Sequence, residues 1–170
     1  MKKLFLVLAL AFAGIFTANA QVWIGGSTNV TLNKELTRFA IAPEIGYSFL
    51  DSHWTIAVGA NYGYRSDKVV GDVAITTNSL ILSPYVRYSI CNIEKFAFFM
   101  DLTGDFDVLS ENFGYRVGLQ PGIAWMATKH WTAAFRFAFL GYNHCNFYGD
   151  NGFRLDFATS APGFGLYYNF

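Results

Sequence analysis

From Arg38 to Phe49 the chain alternates with a period of two. Phe39, Ile41, Pro43, Ile45, Tyr47 and Phe49 make one row, and Arg38, Ala40, Ala42, Glu44, Gly46 and Ser48 the other. The same beat runs from Trp54 to Arg65, with Trp54, Ile56, Val58, Ala60, Tyr62 and Tyr64 as the apolar row. It returns from Phe113 to Met126, where Phe113, Tyr115, Val117, Leu119, Pro121, Ile123 and Trp125 form that row. Successive side chains of a strand point to opposite faces. Each segment is therefore a strand with one apolar face and one face that is small or charged. Strands of globular sheets are mostly about 5–6 residues long. These are longer, and suit a transmembrane barrel strand of about 9–11 residues with extension beyond the interface.

Read this way, the chain divides into eight segments near 22–32, 38–50, 54–66, 78–90, 96–107, 113–127, 131–142 and 153–170. The last changes phase. Phe153, Leu155 and Phe157 are apolar on odd numbers, and Pro162, Phe164, Leu166, Tyr168 and Phe170 on even ones. One inserted residue, a β-bulge, would reconcile them. Short turns near 51–53, 91–95 and 128–130 alternate with connections near 33–37, 67–77, 108–112 and 143–152, most of which are longer. That is the arrangement of outer-membrane barrels. Pro43, Pro84, Pro121 and Pro162 share a Pro-x-apolar-x-apolar frame, each in the second strand of a hairpin. Proline cannot donate to a ladder, so bulges are expected there.

Composition sharpens the picture. Charged residues are only 14% of the chain and aromatics 19%, against roughly 25% charged in soluble domains. A formal net charge of zero gives no reason to expect nucleic acid as a partner. Lys2 and Lys3, the apolar run Leu4 to Phe16 and Ala18-Asn19-Ala20 match a secretory signal with a small-x-small cleavage site. The expected division is a signal peptide at 1–20, cleaved after Ala20, and a barrel domain at 21–170. The apolar run is shorter than the ~20 residues of a membrane-spanning helix. Exported cysteines ordinarily pair. Cys91 in a short turn and Cys145 in a loop would instead lie about 25–30 Å apart, at opposite ends of a membrane barrel, so two unpaired thiols are expected.

In hydrocarbon every backbone polar group must pair within the protein, which only helices and closed barrels achieve. The expected fold is all-β, an eight-stranded antiparallel up-and-down transmembrane barrel with a closed polar interior. The apolar row would face lipid, with aromatics at both ends. Trp54, Phe96, Trp125, Trp131 and Tyr168 mark the short-turn girdle. The alternative in water is a sandwich with these aromatics as its core. On the inward row, Glu44, Asp101 and Asp105 oppose Arg87, Arg116 and Arg136 in sign. Buried charges need partners, so a paired lumen network is expected, its pairing undetermined. No metal-ligand spacing, phosphate-binding loop or cofactor motif is present, and no catalytic residue is assigned.

On these features the chain from Gln21 to Phe170 resembles the small outer-membrane β-barrel superfamily, the OmpA/OmpX-like barrels. Its last strand, with Phe164, Leu166, Tyr168 and terminal Phe170, resembles the signal that the barrel-assembly machinery reads in that family. The resemblance implies residence in the bacterial outer membrane, with its lipid and that machinery as partners. The leading functional expectation is a structural or surface-interaction protein without catalysis, its extracellular ligand unknown. Three others stay open. One is a narrow pore. Another is a lipid-modifying enzyme, for which His144, Cys145 and Asp150 are the one triad-like cluster. The third is a soluble periplasmic carrier with the apolar face turned inward. The largest loops, 67–77 and 143–152, would present any partner-binding surface.

Overall fold

Alternation of the two rows is carried by backbone pairing all the way round the molecule. A computed structural model describes residues 20–32, 36–49, 52–69, 73–109, 113–148, 151–157 and 163–170. Its strands are β1 (Ala20–Leu32), β2 (Leu36–Phe49), β3 (Trp54–Val69), β4 (Val73–Ile93), β5 (Phe96–Asp107), β6 (Gly114–Met126), β7 (Trp131–Arg136), β8 (Ala138–His144), β9 (Gly152–Phe157) and β10 (Gly163–Asn169). β7 with β8 makes one stave and β9 with β10 another, because both members of each pair follow the same neighbours. Each stave pairs antiparallel with the next. β10 closes on β1 from Trp23↔Asn169 to Asn29↔Gly163. The result is a closed eight-stranded antiparallel barrel. The expected signal segment, 1–20, lies outside the described residues apart from Ala20, which opens β1.

Several expected boundaries move. The segment 67–77 is not a long loop: β3 and β4 stay paired to Val69↔Val73. β4 runs on to Ile93, so Cys91 sits in a strand, and the turn is only Glu94-Lys95, with Glu94 at φ 50°. A positive φ at the first position is what a tight two-residue hairpin requires.

The prolines behave unlike the expected bulges. Beside Pro43 the β2–β3 ladder passes from Ile41↔Tyr62 to Glu44↔Gly59 without a change of register. Beside Pro84 the β4–β5 ladder likewise passes from Leu82↔Phe106 to Tyr85↔Thr103 in register. A missing N–H removes bonds on one side and leaves register intact. Pro121 does face a bulge, but on the neighbouring stave: pairing shifts by one residue between Leu119↔Leu140 and Gly122↔Arg136. There Phe137 donates its N–H to the Pro121 carbonyl at 3.2 Å. Pro162 lies outside the described residues. On either side of it the outward parity does change, from Phe153, Leu155 and Phe157 to Phe164 and Leu166. The pairing jumps from Ala138↔Phe157 to Arg136↔Gly163, a larger offset than one inserted residue.

The apolar row points out and the interleaved row points in. The interior is more aromatic than its sequence row suggested: Trp23, Tyr85, Phe99, Phe139, Phe147 and Tyr167 are all buried there. Inward glycines make the room. A Cβ on Gly46 would strike the Trp23 ring, on Gly122 the Phe99 ring, on Gly63 the Phe147 ring, and on Gly25 or Gly165 the Tyr167 side chain. Tyr47 has outward parity yet is buried, its ring edge-on to Phe49 at 5.0 Å.

Both cysteines are free, Cys91 exposed and Cys145 buried. Burial pushes the Cys145 thiol up from its ordinary value, which lowers its thiolate fraction. A water-soluble maleimide applied to the folded protein in detergent is expected to label Cys91 alone, with Cys145 reacting after denaturation. Equal labelling of both in the folded state, counted by mass spectrometry, would contradict this placement.

Candidate functional site

The staves carry their inward charges to one level because register links them. Arg87 stands opposite Asp101 on β5, Asp101 opposite Gln120 on β6, and Gly122 opposite Arg136 on β7. Glu44 faces Gly25 on one side and Gly59 on the other, and those glycines leave its carboxylate room to reach inward.

At this level four charges balance. Asp101 has no solvent exposure. It accepts from Arg87 Nε at 2.7 Å and Arg87 Nη2 at 2.9 Å, and from Arg136 Nε at 2.9 Å. Arg136 Nη2 lies 3.4 Å from Glu44 Oε2 and so bridges the two carboxylates. Glu44 also accepts from Tyr85 Oη at 2.7 Å, Tyr167 Oη at 3.2 Å and the Ser27 hydroxyl. The Arg87 guanidinium lies 3.7 Å from the centre of the Phe99 ring, and that of Arg136 lies 5.0 Å from Tyr85. Burying such ions is expensive unless every lone pair and proton finds a partner, and in this layer the partners are present.

The layer divides the lumen. On the loop side a cavity of about 290 Å³ is lined by Asn29, Glu44, Asn61, Asp105, Arg116, Arg136 and Tyr148, among others. On the short-turn side a second cavity of about 260 Å³ is lined by Gln21, Trp23, Arg87, Phe99, Lys129 and Tyr167, among others. Glu44, Tyr85 and Arg136 form one face of the partition, and Trp23, Arg87, Phe99 and Tyr167 the other.

Asp105 and Arg116, the remaining members of the expected network, stand apart from this layer. Their ion pair is long, 3.9 Å between Arg116 Nη1 and Asp105 Oδ2. The guanidinium of Arg116 packs against aromatic rings instead, 3.4 Å from the Phe139 ring centre and 4.2 Å from that of Tyr148. Sequence reasoning missed Tyr85, Tyr167, Ser27, Arg154 and Asp156 as interior residues. Glycines on the inward row were the signal that large side chains lay opposite.

The segment 143–148 does not present itself outward as a binding loop. Asn143, Cys145 and Phe147 are buried. Arg65 Nη1 holds the Phe147 carbonyl at 3.2 Å and Arg154 Nη1 the Tyr148 carbonyl at 3.0 Å. This piece folds over the loop end of the lumen. His144 points the other way, its ring 5.2 Å from Tyr115, so His144 and Cys145 face opposite sides. Asp150 lies outside the described residues. Among the described residues, no cluster of His, Cys, Asp and Glu is placed to hold a metal.

Trp54, Phe96, Trp125 and Trp131 are exposed at the short-turn end. Trp54 packs on Tyr88 at 4.7 Å, and Tyr168 lies between Trp131 at 5.3 Å and Phe170 at 5.2 Å. Phe164, Leu166 and Phe170 are exposed along the same outer face of the last stave. No family model matches the chain, and no curated protein matches it.

Proposed function

We propose that the chain is a small integral outer-membrane β-barrel of a bacterial envelope, with a structural or surface-interaction role. One observation carries the reading. Ile24, Ile45, Ile56, Leu82, Leu102, Leu119, Phe135 and Phe164, one from each stave, are between 37% and 56% exposed. An apolar girdle closed around a molecule has no place in water, where large exposed patches mark an interaction surface. Among the described residues, no outward position between the two aromatic ends of the staves carries Asp, Glu, Lys or Arg. The aromatic rows fit the two bilayer interfaces. At ~3.3 Å per residue and a tilt of about 35–45°, the interval from Trp54 to Tyr64 rises roughly 25 Å, the height of the apolar band of such barrels. The resemblance to OmpA/OmpX-like barrels agrees with this assignment, and the last strand is the natural handle for the barrel-assembly machinery.

The pairing layer argues against the pore reading, since it fills the bore between the two cavities with hydrogen-bonded side chains. The outward aim of the apolar row argues against a lipophile carrier. In fractionated cells the protein is expected in the outer membrane, and its unboiled form is expected to migrate differently from the boiled one. Refolded into planar bilayers it is expected to be electrically silent. A soluble periplasmic protein with no heat-dependent shift would overturn the proposal, and steady conductance steps would replace it with the pore.

A further inference from the structure

The loop-side cavity contains a charge whose hydrogen-bonding capacity the protein does not fill. Arg116 is only 9% exposed, yet its one polar contact among the described residues is the 3.9 Å approach to Asp105, too long for a hydrogen bond. Arg87 and Arg136, buried to a similar degree, make hydrogen bonds of 2.7–2.9 Å to Asp101. Phe139 and Tyr148 pack against the Arg116 guanidinium and offer its N–H donors no acceptor of ordinary strength. Asp105 is in the matching state. Its Oδ1 accepts from Thr103 Oγ1 at 3.3 Å, while its Oδ2 has only the distant Arg116. Among the described residues no buried side-chain N or O atom lacks a hydrogen-bond partner, so the unfilled donors of Arg116 and the free Asp105 oxygen open onto the cavity that both groups line.

We propose that this cavity is a binding site for a small zwitterion of the α-amino acid class, with its carboxylate on the edge of Arg116 and its ammonium on Asp105. Separation chooses the class. A guanidinium and a carboxylate that are neighbours without being bonded match a ligand whose two opposite charges flank a single carbon. The balance of the walls points the same way. Glu44, Asp105 and Asp156 face Arg116, Arg136 and Arg154 around the cavity, which favours neither a simple anion nor a simple cation. The volume of about 290 Å³ is at the lower end of the ~300–1,000 Å³ of ligand pockets, so the solute is small.

Asn29 and Phe157 both line the cavity, beside Arg154 and Asp156, which are partly exposed on β9. This interior site is the same whatever medium surrounds the outer face.

The test is titration of the purified full chain in mild detergent with L-alanine, propionate and ethylamine, followed by nitrogen-15 NMR including the arginine Nε signals. L-alanine is expected to bind saturably and shift Arg116. Propionate and ethylamine are expected to bind more weakly by about tenfold or more, each tenfold being about 1.4 kcal/mol. Arg116→Gln and Asp105→Asn are each expected to weaken alanine by a similar factor, and either folded variant suffices. Absence of saturable alanine binding overturns the proposal. So does propionate binding as tightly as alanine, which would make the site a plain anion site, or unchanged alanine affinity in a folded variant.

Discussion

Asp101→Ala is expected to destabilise the barrel by about 3–5 kcal/mol, the cost of removing one partner from a buried ion cluster. Asp101 is fully buried and receives three guanidinium hydrogen bonds. Among the described residues, Arg87 then loses its only carboxylate partner and Arg136 keeps Glu44 alone. Two guanidiniums remain in a bore too crowded to hydrate them well. The measurement is urea unfolding of the protein refolded into phospholipid vesicles, read from the unfolding midpoint. A loss below about 1 kcal/mol, the range of solvent-exposed pairs, would mean that water reaches the cluster. Replacing the whole cluster by apolar groups of like volume is a different experiment, because the desolvation cost then goes as well.

Phe99→Ala is expected to cost a similar amount, about 3–5 kcal/mol, the usual loss for truncating a buried phenylalanine. The ring is 1% exposed, fills the space above Gly122 and supports the Arg87 guanidinium at 3.7 Å. Truncation would enlarge the short-turn cavity into the pairing layer and remove a cation–π contact of about 0.5–2 kcal/mol. The two substitutions act on one arginine, so the double variant should depart from additivity by about 0.5–3 kcal/mol. Strict additivity in the same unfolding assay would separate the aromatic floor from the ion cluster.

What the sequence disclosed follows from what period two can carry. The outward row from Trp54 to Tyr64 and the inward charges Glu44, Arg87, Asp101, Asp105 and Arg116 were legible, because each stands on one parity of a clean alternation, and Arg136 was legible as the lone charge in an apolar run. The partners were not. Arg87 meets Asp101 through a β4–β5 register that a bulge between Ser89 and Cys91 shifts by one residue, and Arg136 meets Glu44 and Asp101 from staves far apart along the chain. Trp23, Tyr85, Phe99 and Tyr167 escaped because they are large residues on the small-residue parity; Trp23, Phe99 and Tyr167 become intelligible only beside Gly46, Gly122, Gly25 and Gly165. The bulge at Phe137 was invisible, since Phe135 to Leu140 is apolar on both parities apart from Arg136 and shows no phase to break. The β3–β4 extension read as a loop for the opposite reason. Ser66-Asp67-Lys68 and Thr76-Thr77-Asn78 are polar on both faces, so alternation fades while backbone pairing goes on. The inward fold of 143–148 is tertiary, set by Arg65, Arg154 and the recess at Gly63.

The central claim is that the apolar row of each stave meets lipid and the interleaved row meets the packed interior. Nitroxide labels placed singly at successive positions from Trp54 to Tyr64, in protein reconstituted into vesicles, test it most directly. The account predicts that dissolved oxygen reaches the labels at even-numbered positions and that those at odd-numbered positions are shielded. A water-soluble paramagnetic reagent should be excluded between the two aromatic ends. The reverse phase, or free access of the aqueous reagent to the even positions, would contradict it.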